Sequence, residues 1–226
     1  ETLVTRLRQL AASWRHPGRI DREVVLRASP AGFSLQCIGI GASTGGIHTL
    51  GELLSGFTAP PGVPILITQH LPEPFIRYYV QQVSRMIDLP VQIAVEGTIL
   101  RPDHVYVAPG ESSLSCQRFG SVVRAVLLPQ RDPATQARPS VNFMFSAMAE
   151  CYGDGALGIV LTGIGRDGTF GAGRIVDAGG AIVAQDRDSS VVWGMPGSVT
   201  RAGFACANLQ PDEMPGYIAR LAGAES

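Results

Sequence analysis

The 226-residue chain is 45% hydrophobic and 16% charged, with a formal net charge of -1, which is enough apolar material for one α/β domain with a full core. All 18 basic residues are Arg and none form a run, so no nucleic-acid footprint is indicated, and the lack of Lys removes the P-loop lysine, Schiff-base chemistry and a Lys base together. No apolar run reaches the roughly 18 residues of a membrane span, and Cys37, Cys116, Cys151 and Cys206 lack CxxC or CxxH spacing, so they read as buried thiols of a reducing cytoplasm and not as metal ligands.

Residues 1–16 read as an Arg-bearing amphipathic linker helix without an apolar signal-peptide core, closed by Pro17 and Gly18. An irregular tail follows to residue 35, and residues 36–226 form the domain. A short apolar strand is predicted over 36–41, then a Gly-rich turn and a helix over 45–55. Pro60, Pro61 and Pro64 punctuate the loop around the start of a second strand, 63–69. After Pro72 and Pro74 the segment FIRYYVQQVSRMI has helical spacing.

The middle, 91–128, changes period to short β-rich pieces, VQIAV, HVYVAP, SSLSCQ and SVVRAVLL, which predict a mixed or antiparallel excursion with a hairpin at Phe119-Gly120. The βα rhythm then returns with a helix over 140–152, a strand over 156–162, a helix over 168–178 and a strand over 181–185. A turn at GMPGSV, a strand near FACAN and a helix over 212–222 complete the chain. Buried strands alternating with helices give the expected fold: α/β, a three-layer αβα sandwich on a doubly wound, mostly parallel sheet with an antiparallel hairpin excursion.

Functional loops of such a sheet gather at the carboxyl ends of its strands. Three strands each deliver a polar residue there: CIGIGAS gives Ser43, VPILITQH gives His70 and ALGIVLTGIGRDG gives Asp167. The first loop satisfies GxSxG on a strand-turn-helix, where a serine hydroxyl projects from a tight turn beside helix amides. The same loop suits phosphate binding at a helix N-terminus, although its glycines miss GxGxxG, and it also suits plain helix capping. A lone strand-end histidine such as His70 is more often a packed structural residue than a base, and for Asp167 taken alone the N-cap of the following helix is the first reading. Together the three support a nucleophile, a base and an orienting acid, with backbone amides near Thr44 and Ile164 placed for an oxyanion.

The segments GASTGG (41–46), ITQHLPEPF (67–75), YVAPG (106–110), RPSVN (138–142), LTGIGRDG (161–168) and AGGAIVAQDRDSSVVWGMPGSV (178–199) resemble the catalytic domain of the CheB family, the chemotaxis protein-glutamate methylesterases. The resemblance runs in order through residues 37–221. It implies a parallel-sheet αβα domain that hydrolyses γ-glutamyl methyl esters on cytoplasmic chemoreceptor helices and often deamidates receptor glutamines. By motif, Ser43 matches the nucleophile, His70 the base and Asp167 the acid; Thr44 matches a second active-site residue, and Ile164 stands at a position usually Met with a backbone role at the oxyanion.

No cofactor or metal is implied. The other departures are Ile47 for Pro, Arg166 for Asn, and Asn142 for the Asp of RPSVD. The implied partners are methylated chemoreceptor helices and a receiver domain in cis or in trans, with no nucleic acid, no membrane insertion, a monomeric state and a cytoplasmic location. The alternative reading is a non-catalytic nucleotide- or phosphate-binding module, or a signalling docking module of the same fold.

Overall fold

In a computed structural model, residues 25–223 are described, and the linker helix expected over 1–16 lies outside them. Seven strands, β1 (Cys37–Ala42), β2 (Ile65–Gln69), β3 (Val91–Ile93), β4 (Val105–Val107), β7 (Ala156–Val160), β8 (Ala181–Gln185) and β9 (Ala207–Leu209), form one parallel sheet in the order β3-β4-β2-β1-β7-β8-β9. A separate antiparallel pair, β5 (Ser113–Phe119) and β6 (Val122–Leu128), turns at Gly120. Among the described residues the α-helices are α1 (Gly46–Ser55), α2 (Glu73–Val83), α3 (Val141–Tyr152), α4 (Thr169–Asp177), α5 (Met195–Arg201) and α6 (Met214–Leu221).

The central strands are apolar on both faces because both faces are covered. Alternate residues point to opposite sides. Ile38 and Ile40 of β1, Ile65 and Ile67 of β2, and Leu157 and Ile159 of β7 face a layer built on Leu50, Leu53 and Leu54 of α1, Tyr79 and Val83 of α2, and Met214 and Ile218 of α6. Leu66, Val160 and Ile182 face the other layer, where Met144, Phe145 and Met148 of α3 meet Ala172 and Ile175 of α4 and Met195 and Val199 of α5. Full burial of each such side chain is worth about 1.5–3 kcal/mol, so the two layers together supply the driving force that holds the sheet.

The expected hairpin at Phe119-Gly120 is present, but two neighbouring expectations are corrected. The VQIAV and HVYVAP segments do not leave the sheet; β3 and β4 pair in parallel and extend it beyond β2. At three residues each, they are too short for periodicity to reveal direction. GMPGSV is not a turn but the start of α5, with Pro196 in its first turn, where a fixed φ suits the helix and the missing N–H is no loss.

One glycine decides how close α3 comes. A Cβ on Gly41 would lie 2.5 and 2.7 Å from the two methyls of Val141, so only Gly lets the first turn of α3 rest on the carboxyl end of β1. Gly41→Ala is expected to lower stability by about 1–3 kcal/mol by overpacking, read as the urea midpoint. Val141→Ala in the same chain should recover part of the loss, since the two changes share one contact.

Candidate active site

Ser43, His70 and Asp167 leave the ends of β1, β2 and β7, and those three strands are adjacent in the sheet. The ladders run one step past the strands. The His70 N–H donates to the Ala42 carbonyl at 3.0 Å and the Ser43 N–H to the Thr162 carbonyl at 3.0 Å, while the Leu161 N–H donates to the Gly41 carbonyl at 2.9 Å. The backbone where each loop leaves its strand is therefore fixed by sheet hydrogen bonding and not left to loop freedom.

His70 donates from Nε2 to Asp167 Oδ2 at 2.8 Å, with the two side chains 22% and 3% exposed. A carboxylate oxygen accepts only, so the proton of a neutral imidazole sits on Nε2 and the Nδ1 lone pair is left available. Ser43, Thr44 and His70 line one open cleft of ≈ 990 Å³ with Gln69, Ile47 and Glu52. Among the described residues the Ser43 hydroxyl makes no hydrogen bond, and the N–H groups of Thr44 and Ile164 meet no acceptor. Ile164 is 64% exposed, one residue beyond the glycine that packs against Ser43.

Asp167 does not cap the helix that follows it in sequence. Gly168 precedes α4 without a side-chain cap, and the carboxylate turns instead to the first turn of α3. It accepts from the Val141 N–H at 2.7 Å and the Asn142 N–H at 3.1 Å, with the Ser140 hydroxyl at 2.9 Å and the Gly168 N–H at 3.0 Å. Helix N-termini carry unsatisfied donors and a positive partial charge. With His70, five donors converge on two oxygens, which fixes the plane of the acid and hence the imidazole that donates to it.

Several residues that sequence reasoning passed over hold this frame. Gln69 Nε2 donates to the Ser43 carbonyl at 2.8 Å. The Thr162 hydroxyl donates to the Thr44 carbonyl and accepts from the Val192 N–H, both at 2.9 Å, and the Thr162 N–H donates to Gln185 Oε1 at 2.7 Å. Buried Asp132 accepts from Asn142 Nδ2 at 2.7 Å and the Ala134 N–H at 2.7 Å, and its Oδ2 lies 2.9 Å from the Ser140 hydroxyl oxygen. Burial pushes the Asp132 carboxyl up, but the bonds from Asn142, Ala134, Ser140 and Thr135 outweigh it and hold the group below the ordinary carboxylate range. Asn142 also accepts from the Gly171 N–H at 3.0 Å, so it joins Asp132 to α4. Gln69 and Thr162 were visible as polar residues ending apolar strands; Asp132, inside a polar loop, gave no signal.

No His, Cys, Asp or Glu cluster among the described residues could hold a metal ion, and no described helix is long and apolar enough to cross a membrane. The four cysteines are free and buried.

A family model described as CheB methylesterase matches residues 38–218. A protein-glutamate methylesterase/protein-glutamine glutaminase of Syntrophus aciditrophicus is 35% identical over 189 residues, covering 84% of this chain and 53% of that protein. One from Caulobacter vibrioides is 38% identical over 195 residues, covering 86% and 56%. The chain thus spans about half the length of these curated relatives. The crystal structure of the Thermotoga maritima CheB methylesterase catalytic domain superposes with a TM-score of 0.79 at 31% identity, covering 83% of this chain and 99% of that one.

The Ser43 loop has no slack on the side of β7. A Cβ on Gly163 would lie 2.7 Å from the Ser43 Cβ and 2.5 Å from the Met195 sulfur. Gly163→Ala is expected to displace Ser43 and slow its labelling by a fluorophosphonate about tenfold or more, since an ångström of misplacement is costly at a reacting centre. Intact-mass spectrometry against time measures the rate, with circular dichroism reporting an unchanged fold.

Proposed function

The chain belongs to the CheB methylesterase family, and on that footing we propose that it is a serine hydrolase that removes methyl esters from glutamate side chains of chemoreceptor helices, with Ser43, His70 and Asp167 as its triad. The observation that carries the reading is the Asp167–His70 hydrogen bond of 2.8 Å beside a cleft that Ser43 and His70 share. A histidine retained only for packing would not need a buried carboxylate held by four further donors.

Chemistry follows from the tautomer. Nδ1 of His70 takes the Ser43 proton as the hydroxyl oxygen bonds to the ester carbonyl carbon, and Asp167 stabilises the imidazolium that results. The N–H groups of Thr44 and Ile164 receive the developing oxyanion. Collapse breaks the bond to the methoxy group, which leaves as methanol with the proton from His70, and the glutamyl group remains on Ser43. Water then attacks with His70 again as base, releasing the free glutamate and restoring the serine. No cofactor takes part in these steps.

Exposed apolar residues support a helix as substrate and not a small free ester. Ile47 and Ile164 are 37% and 64% exposed, and Val191, 67% exposed, has its Cγ2 2.7 Å from the position of a Cβ on Gly45. Three apolar side chains near the nucleophile suit the apolar stripe of an amphipathic helix, which places its side chains at intervals of three and four. A receptor glutamine would enter the same site and lose ammonia in place of methanol.

The reading is tested by following methanol release from a methylated chemoreceptor fragment. Ser43→Ala should lower the rate by about 10³-fold or more, and Asp167→Asn by a comparable factor, because both remove parts that act as a unit. Full activity in Ser43→Ala would end the assignment. Tight nucleotide binding, unaffected by Asp167→Asn, would favour the phosphate-binding module instead.

A further inference from the structure

Ser140 carries one hydroxyl proton, and two carboxylates compete for it. Its Oγ lies 2.9 Å from Asp132 Oδ2 and 2.9 Å from Asp167 Oδ1, and all three side chains are buried. A hydroxyl donates one bond at a time, so one of the two acids is always short of it. Asp167 keeps its three backbone donors and His70; Asp132 keeps the Ala134 N–H and the Asn142 amide. Among the described residues, His70 is the sole side chain at ion-pair distance from either acid. Two buried negative charges, one hydroxyl apart, therefore rely on a single group that can become a cation.

We propose that Asp132 is a positioning residue of this site: acting through the Ser140 hydroxyl and Asp167, its charge stabilises the imidazolium that His70 becomes on taking the Ser43 proton. The proposal rests on the hydrolase reading and deepens it. With His70 neutral, the Ser140 proton serves Asp167. Once the imidazolium forms, the Asp167 charge is matched from the other side and the hydroxyl can turn to Asp132. No covalent bond changes in that step, and the proton stays on Ser140.

The other charged groups facing His70 do not substitute for Asp132. Glu73 of α2, Glu111 after β4, and Arg131 and Arg138 before α3 border a hollow with His70, while His48 and Glu52 of α1 face it across the cleft. All six are exposed, where water and salt screen them. Arg166 and Arg174 border a second hollow with Asn142 and are exposed as well. Asp132, 3% exposed, acts from inside the protein, where screening is weak.

The test follows the ring resonances of His70 by NMR and the fluorophosphonate labelling rate of Ser43, from about pH 5 to about pH 9 across the imidazole range. Asp132→Asn should move both the ring midpoint and the acid limb of the labelling rate about 0.5–1 pH unit lower, and lower the plateau about threefold to tenfold. Asp132→Asn with Asn142→Asp reverses the polarity of one hydrogen bond and returns the charge to the network, so both readouts should recover. Asp132→Ser removes the same charge while keeping an acceptor, and serves if the Asn variant does not fold. An unmoved ring midpoint in either folded single variant overturns the proposal, as does a plateau loss without a midpoint shift, the mark of a merely structural role. Ser43 left unlabelled at every pH in the unmodified chain sinks the hydrolase reading, whereas the ring titration is read without turnover.

Discussion

A carboxylate buried at the end of a parallel sheet must be given donors, and here the first turn of α3 supplies them. Asp167 takes the N–H groups of Val141 and Asn142 together with the Ser140 hydroxyl. That arrangement is available only because α3 lies directly on β1, with Val141 filling the space beside Gly41. The missing side chain of one strand residue, the approach of a helix, the plane of a carboxylate and the tautomer of an imidazole form one chain of dependence. Its cost is borne in packing, since a helix pressed this closely onto a strand tolerates no added methyl.

The two sides of the cleft are fixed by different means. On the β2 side, Gln69 reaches back to the carbonyl of Ser43, tying the Ser43 loop to the strand that ends in His70. On the β7 side, Thr162 bonds the Thr44 carbonyl and the Val192 amide at once, joining three segments through one hydroxyl. Ser43 itself keeps its hydroxyl free while its backbone is held from both neighbours. Rigid support around an unencumbered hydroxyl is what preorganisation of a reacting group requires, and here polar side chains provide it.

Much of this was legible in the sequence because parallel strands buried on both faces are written as apolar runs, and the polar residue that ends such a run lies at the functional edge of the sheet. That logic singled out Ser43, His70 and Asp167 and set β1, β2, β7 and β8 to within a residue or two. Strand neighbours were not legible, since order in a sheet depends on crossovers that leave no local trace. Three residues carry no period, so the direction of β3 and β4 leaves no mark in the sequence, and Gly and Pro in GMPGSV mask α5 because they punctuate loops as well as helix starts. Asp132 was illegible for another reason: in RDPATQ it reads as a solvated loop acid, and only folding reveals that Ser140 and Asn142 close over it. The Asn142 departure makes physical sense in that light, since its amide can donate to a carboxylate where an ionised acid could not.

His70 and Asp167 are 97 residues apart along the chain. During synthesis the polypeptide emerges from the ribosome with Ser43 and His70 long before β7 exists, and contacts of such high sequence separation form late because loop closure must come first. A chain that ends before β7 therefore holds Ser43 and His70 without the carboxylate that orients the imidazole. In the proposed enzyme, full competence is thereby coupled to completion of the sheet.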